Sequence, residues 1–154
     1  MRWRLAIAFT VLCPVAPLPA QTTEDAVAAV VQRFFDGMRS GDTAVMRSVT
    51  HPDARLMRAG LDGVDVVPLD NLIGSVGSRS GDPLDEQIWD IKINIDDPLA
   101  TLWTKYVFYI GDTFSHCGVD AFQLANISGE WKIIHVTDTQ QTEDCHAPPR
   151  LTKP

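Results

Sequence analysis

Three ionisable residues in the C-terminal third of the chain have the types and spacing that acid–base chemistry needs. His116 and Asp120 lie four residues apart in a segment of alternating apolar residues, and His135 lies in the next such segment. If both segments are strands joined by residues 126–129, Asp120 and His135 face each other with Cβ atoms about 5 Å apart. A two-residue loop makes them diagonal neighbours, whereas an odd loop or a bulge separates them.

An Asp beside a His on an apolar face predicts a proton-transfer pair. The carboxylate favours the imidazolium, while desolvation opposes both charges. Asp120 is the candidate base, with His135 or His116 as its partner. The alternative is a polar pair without chemistry, either buried under the helices or facing a second subunit. Asp138, at the end of a predicted strand, is a candidate for a pocket mouth or a turn.

Aromatic residues near these positions are candidates for the wall of a ligand pocket, and core packing is the alternative for each. The expected pocket-lining residues are Trp103, Tyr106, Phe122 and Trp131. The Tyr106 phenol is also a candidate hydrogen-bond donor to an oxyanion.

Several other chemistries lack their motifs. The chain contains no Gly-rich phosphate loop, no Gly-x-Ser-x-Gly elbow and no His-Glu-x-x-His sequence. A zinc site built from His116-Cys117 and Cys145-His146 is disfavoured, because neighbouring strand residues point to opposite faces. We therefore expect neither a metal nor a cofactor.

Hydrophobic periodicity predicts helices first and a sheet afterwards. Apolar residues recur at helical spacing over 26–39, 45–49 and 68–76. The period then changes to two, which predicts strands over 87–95, 99–110, 113–125 and 130–138. Their connections of two to four residues favour antiparallel hairpins, so the order predicts an α+β fold. His51, which precedes Pro52, is expected in a loop.

The first twenty residues have the pattern of a secretory signal peptide. Arg2 and Arg4 precede an apolar stretch that ends in a proline-rich segment at Ala20. Cleavage there predicts an exported protein, periplasmic or secreted, with a domain over 21–147 and a tail over 148–154. Cys117 and Cys145 would then form an even pair in an oxidising compartment, which predicts a disulfide.

Composition limits the class of partner. The chain has 154 residues and a net charge of −7, so we expect one domain that does not bind nucleic acid. No apolar run approaches the 18 residues that indicate a membrane-spanning helix.

The stretch Ser-His-Cys-Gly-x-Asp-x-Phe over 115–122, with the Trp-Lys-Ile ending at 131–133, resembles the nuclear transport factor 2-like superfamily. More narrowly, roughly 25–145 are similar to its SnoaL-like or putative lumazine-binding bacterial branch. The resemblance implies a cone in which a curved antiparallel sheet wraps around N-terminal helices and leaves an internal pocket. It also implies a homodimer formed through the outer sheet face.

Three functions follow as expectations. The first is an exported protein that binds a small apolar molecule in the cone without chemistry of its own. The second is a cofactor-free isomerase, cyclase or dehydratase that uses Asp120 beside a carbonyl, as some superfamily members use a pocket Asp or His. The third is a structural or partner-binding dimer module. The sequence leaves open whether the protein is an enzyme.

Overall fold

A computed structural model of the chain describes residues 23–148. The predicted signal peptide and the last six residues of the predicted tail lie outside this range. The helices are α1 (Thr23–Ser40), α2 (Thr43–Ser48) and α3 (Leu69–Gly77). The strands are β1 (Thr50–Gly60), β2 (Gly63–Pro68), β3 (Leu84–Asp96), β4 (Leu99–Ile110), β5 (Thr113–Ile127) and β6 (Glu130–Asp138).

The helices form where capping and apolar spacing predict them. The apolar stripe of α1 is buried and makes up one side of the core. Asp42 begins α2, since its Oδ1 accepts hydrogen bonds from the backbone N–H groups of Ala44 and Val45, at 3.0 Å each. Gly37 lets the two helices approach, because a Cβ there would lie 2.8 Å from Cγ of Met46.

All six strands form one curved sheet in the order β2-β1-β6-β5-β4-β3. The predicted antiparallel meander of β3 to β6 is confirmed, and β4 and β6 have the predicted bounds. The sheet is not wholly antiparallel, because β1 runs parallel to β6. The sheet packs around α1 and α3, as the predicted α+β cone requires.

The sequence pattern did not predict β1 and β2, and His51 lies in β1 rather than in a loop. Every residue of β2 is exposed, and β1 has only one fully buried residue, Ala54. Neither strand therefore shows the alternation of apolar and polar residues by which a half-buried strand is recognised. Strand pairing forms them instead: β1 pairs with β6, and β2 pairs with β1.

The hairpin of β5 and β6 decides which residues reach the inner face. Its loop has two residues, Ser128 and Gly129, with φ of 54° and 89°. A bulge then shifts the register, since Leu124 pairs with Ile133 and Gln123 pairs with His135. Ile134 is the extra residue, and its insertion reverses the alternation of faces along β6.

A disulfide joins Cys117 on β5 to Cys145, with Cα atoms 5.8 Å apart, as the cysteine count predicted. Residues 139–145, called the tail from here on and distinct from the predicted tail of 148–154, continue the direction of β6 alongside β5. Gln141 exchanges two backbone hydrogen bonds of 2.9 Å with Cys117. The tail thus extends the antiparallel pairing of β6 with β5 toward the start of β5. No helix within residues 23–148 has the length and apolar character to cross a membrane.

Candidate functional site

A cavity of about 110 Å³ lies between the helices and the inner face of the sheet. Its apolar wall comprises Phe34, Phe35, Met38, Leu56, Leu69, Leu72, Phe108, Phe122 and Val136. Its polar residues are Arg58, Glu86, His116, Asp120, Asp138 and Gln140. The cavity is therefore apolar with a few convergent polar groups, which is the composition of small-molecule sites.

Four strands contribute the charged groups. Asp120 on β5 lies directly opposite Asp138 on β6, and Arg58 on β1 lies opposite Asp138 on its other side. Glu86 reaches the cluster from β3. The curvature of the sheet brings these strands to one end of the cavity, although their residues are as many as 80 positions apart.

Arg58 and Asp138 form a multiply hydrogen-bonded ion pair. Nη2 of Arg58 donates to Oδ2 of Asp138 at 2.7 Å, and Nε donates to both carboxylate oxygens at 3.1 and 3.2 Å. The guanidinium is the one cation that lines the cavity in the described part of the chain, and its donors are directed at Asp138.

Glu86 and Asp120 form a second pair, in which the two buried carboxyl groups act on each other. Burial raises the pKa of Asp120 to about 7; the hydrogen bond with Glu86 opposes that rise, and the Asp138 carboxylate adds to it. Burial and the neighbouring Asp120 raise the pKa of Glu86 well above its usual range. Glu86 therefore keeps its proton and shares it with Asp120 above neutral pH, whereas Asp120 exchanges its own proton near pH 7.

Asp120 keeps one oxygen without a partner. The residue is only 3% exposed, and no donor within residues 23–148 is hydrogen bonded to its Oδ2. A buried acceptor without a hydrogen bond is rare in folded proteins and costs about 1–3 kcal/mol. Asp120 therefore has an unused acceptor where it lines an apolar cavity.

His116 lines the cavity as a neutral ring. The side-chain amide nitrogen of Gln140 donates to Nε2 at 3.0 Å, which leaves the ring proton on Nδ1, where it donates to Oγ of Ser115 at 2.9 Å. Burial lowers the pKa of His116, and the Arg58 charge lowers it further. Its ring stacks on Phe108 with centroids 4.8 Å apart. Both nitrogens are thus already occupied.

The Tyr106 hydroxyl donates to the backbone oxygen of Thr139 at 2.8 Å. Burial and the nearby carboxyl groups raise its pKa, so the phenol stays protonated. The Tyr106 hydroxyl thus holds Thr139, the first residue of the tail, in place. Tyr106 borders the carboxyl cluster but does not line the cone cavity; it lines a second pocket, beside Cys145.

The structure does not bring all of the predicted site residues together at the cavity. The expectation that His135 faces Asp120 is wrong, because the bulge pairs His135 with Gln123 and places Asp138 opposite Asp120. Phe122 lines the cavity, whereas Trp131 is part of the core and lines none of the described pockets. Trp103 is not in the lining either; it lies under the Lys92 ammonium, 4.9 Å from the ring centroid.

Sequence reasoning missed Arg58 and Glu86. Arg58 lies in a strand that carried no alternation signal, and Glu86 lies just before the predicted start of β3. Nothing in the local sequence separates Glu86 from its neighbour Asp85, whose carboxylate accepts from Nε of Arg39 at 2.5 Å. Within residues 23–148, no three His, Cys, Asp or Glu side chains are arranged to hold a metal ion.

The helices, the curved sheet and the cavity between them define a nuclear transport factor 2-like fold. Among solved structures, a nuclear transport factor 2-like protein from Cytophaga hutchinsonii has a TM-score of 0.67 and 15% identity, covering 78% of this chain and 99% of that one. A protein of unknown function from Shewanella baltica has a TM-score of 0.59 and 16% identity, covering 78% and 94%. A Xanthomonas campestris protein described as a putative calcium/calmodulin-dependent protein kinase II association domain has a TM-score of 0.63 and 20% identity, covering 83% and 94%.

Residues 22–137 match the family described as putative lumazine-binding proteins, and the chain belongs to that family. No curated protein matches the chain. The structural neighbours share its fold at identities of 20% or less, so its function has to be argued from the cavity itself.

Proposed function

We propose that the protein binds a small molecule in the cone cavity, with its apolar body against Phe122 and a polar group at Asp120. The observation that carries this proposal is the unpartnered Oδ2 of Asp120, which is buried beside an apolar cavity. A ligand that donates a hydrogen bond there would remove the cost of the unsatisfied acceptor.

The size of the cavity limits the ligand. An apolar cavity of about 150 Å³ holds one benzene molecule, and this cavity is about 110 Å³. The enclosed part of the ligand is therefore no larger than a short branched alkyl group or a small ring. Any further part extends toward solvent.

Binding is tested by ligand-observed nuclear magnetic resonance with a library of small fragments. Phe122→Leu is expected to weaken every cavity-bound fragment, because it removes contact area from the wall. Phe114→Leu is the matched control, since Phe114 is 40% exposed and does not line the cavity. Unchanged affinity in a folded Phe122→Leu variant would exclude the cavity as the binding site.

Proton transfer is a second candidate function, and the Glu86–Asp120 pair favours it. A carboxylate with a pKa of about 7 is a stronger base than an ordinary Asp and exchanges its proton at neutral pH. Asp120 could then remove a proton beside a carbonyl while the protonated Glu86 serves as the acid. This assignment replaces the predicted partners His135 and His116.

Deuterium exchange tests this second candidate without knowledge of the substrate. Small ketones such as acetone and cyclopentanone are incubated with the protein in heavy water. The protein is expected to accelerate exchange at their α-carbons, and Asp120→Asn and Glu86→Gln to remove the acceleration. Glu130→Gln, at an exposed carboxyl, is the control. Equal exchange in all four proteins would refute the proposal.

We also propose that the protein is exported and that the Cys117–Cys145 disulfide forms after export. The disulfide supports this, because such bonds persist in oxidising compartments. Intact-mass analysis of the protein from its native host is expected to give a chain that begins near Gln21 and is oxidised at both cysteines. A reduced, uncleaved chain would contradict export.

A homodimer formed through the outer sheet face is proposed as well. Large apolar residues remain exposed on β4 and β5, with Leu99 and Ile127 at one end and Phe114 at the other. Light scattering is expected to give twice the chain mass, and Leu99→Lys to shift the protein toward monomer. A monomer at all concentrations would refute this assembly.

A further inference from the structure

We propose that the ligand of the cone cavity carries a protonated nitrogen and that its ammonium group takes the place of the Asp120 proton beside Glu86. This inference rests on the proposed small-molecule function and adds the chemical class of the ligand.

The first argument is the charge of the cavity. Three carboxyl groups line it, from Glu86, Asp120 and Asp138, against the single guanidinium of Arg58. Arg58 directs three hydrogen bonds to Asp138, so within residues 23–148 Glu86 and Asp120 have no cation of their own. Buried carboxylates need a cation or a proton. The proton on Asp120 fills this role below about pH 7, and a ligand cation would fill it equally well.

The second argument is the geometry at Asp120. Its Oδ2 is buried and free of hydrogen bonds, which an ammonium with three N–H donors can satisfy. A neutral donor would satisfy the oxygen but would leave the carboxyl pair dependent on its proton. An anionic ligand would be repelled by three carboxyl groups. The cluster therefore favours cations over neutral and anionic ligands of the same shape.

The third argument is the rest of the wall. Phe35 packs edge-on against both Phe34 and Phe122, with ring centroids 5.8 Å apart in each case. An aromatic wall accommodates an apolar body, and it tolerates a nearby cation better than an aliphatic wall does. The expected ligand is thus a small primary amine or a related base with an alkyl or ring body.

Exchange of a proton for an ammonium makes binding depend on pH. The charged and titratable groups that face the pair come from the strands: Arg58 on β1, Tyr106 on β4, His116 on β5 and Asp138 on β6. α1 and α3 present only apolar side chains to the cavity. Tyr106 stays protonated and His116 stays neutral, so Asp120 is the group that releases a proton near neutral pH. Affinity for an amine is therefore expected to rise with pH through about 7.

The experiment is calorimetric titration of the folded protein with butylamine and isobutylamine, each compared with the alcohol of the same carbon skeleton, and with butyrate. At pH 8 the amines are expected to bind at least about tenfold more tightly than the alcohols, and butyrate is not expected to bind. Titrations at a pH just below 7, in buffers of different ionisation enthalpy, are expected to show release of a proton from Asp120. The preference for amines is expected to shrink below pH 6.

Matched variants assign the effect to the carboxyl pair. Asp120→Asn and Glu86→Gln are each expected to reduce the preference for the amines. Glu130→Gln, which makes the same change at an exposed site, is expected to retain it. Circular dichroism verifies that each variant is folded, and either of the two cluster variants suffices for the test.

The outcomes separate the two proposals. If the alcohols bind as tightly as the amines and Phe122→Leu weakens both, the cavity is a ligand site but its ligand is not a cation. If the amines bind equally well to Asp120→Asn and Glu86→Gln, the carboxyl pair does not recognise them and the inference is wrong. If no probe binds and the fragment library also fails, both proposals are overturned.

Discussion

At the scale of single residues, the site is a set of carboxyl groups whose burial works against stability. Asp120 could be identified from the sequence, because a charged residue interrupts an apolar face of β5. Its partners could not. Glu86 and Arg58 come from distant strands, and whether they meet Asp120 depends on sheet curvature that no local pattern encodes. The sequence therefore predicted acid–base chemistry at Asp120, but it did not predict which residues surround it.

Asp120 should make stability fall as pH rises. Its pKa in the folded protein is about 7, above the usual value of 3.8, so the folded state binds more protons than the unfolded state between these values. The free energy of unfolding is thus expected to decrease as pH rises from about 4 through 7. Urea unfolding across this range should show a smaller decrease in Asp120→Asn, because this variant lacks the carboxyl group that releases its proton near pH 7. An identical pH profile for the parent and this variant would contradict the raised pKa of Asp120.

Asp138, unlike Asp120, should stabilise the folded protein through its ion pair with Arg58. Asp138→Asn leaves Arg58 without its carboxylate, and loss of a charge-assisted hydrogen-bonded pair costs about 2 kcal/mol. Urea unfolding at neutral pH is expected to show this loss. Asp96→Asn, at an exposed carboxyl at the end of β3, is the control. A variant as stable as the control would mean that the ion pair contributes nothing to the fold.

At the scale of elements, the tail pairs with β5 and contributes Gln140 to the wall of the cavity. The Tyr106 hydroxyl, the paired backbone groups of Gln141 and the disulfide all hold the segment after β6 against β5. Gly118 makes this approach possible, because a Cβ at that position would collide with the backbone oxygen of Thr139 and lie 2.9 Å from the Tyr106 ring. The sequence shows a glycine at position 118 but not why a larger residue is excluded there, because the tail carried no secondary-structure signal.

Gly118→Ala is therefore expected to push the tail off β5. Overpacking of this kind costs about 1–3 kcal/mol, and the backbone of Thr139 has to move to accommodate the methyl group. Hydrogen exchange is expected to show faster exchange at the amides of Thr139 and Gln141, with the far end of β5 unchanged. Gly74→Ala is the control, because a Cβ there meets nothing within 4 Å. Protection equal to that of the control would contradict this role for Gly118.

At the scale of the whole molecule, most of the fold follows from hydrophobic periodicity that can be recognised in the sequence. The apolar stripe of α1 and the alternation along β4 and β6 predicted the bounds of those elements to within a few residues. β1 and β2 could not be predicted in this way, since β1 is positioned by pairing with β6 and β2 by pairing with β1, and neither by an apolar face of its own. The sequence thus determined the helices and the meander, and tertiary pairing completed the sheet.

Loss of the disulfide tests how the tail contributes to the whole molecule. The bond closes a loop with a sequence separation of 28, which corresponds to about 3.6 kcal/mol in the chain-entropy model. Cys145→Ser combined with Cys117→Ala is expected to lower the free energy of unfolding by about this amount. The protein should still fold, because its core lies elsewhere. Chemical denaturation of the two proteins without reductant measures the difference, and equal stability would contradict the expectation.

The bulge at Ile134 also affects how this chain should be compared with its relatives. Trp131 and Asp138 both face inward, yet they are separated by an odd number of positions, which a regular strand does not allow. In a relative without the bulge, the residue equivalent to Asp138 stands one position nearer to the tryptophan. Correct alignment of the two then requires a one-residue gap in the middle of a strand. An alignment without that gap would match Asp138 to an outward-facing residue and transfer its role to the wrong side of the sheet.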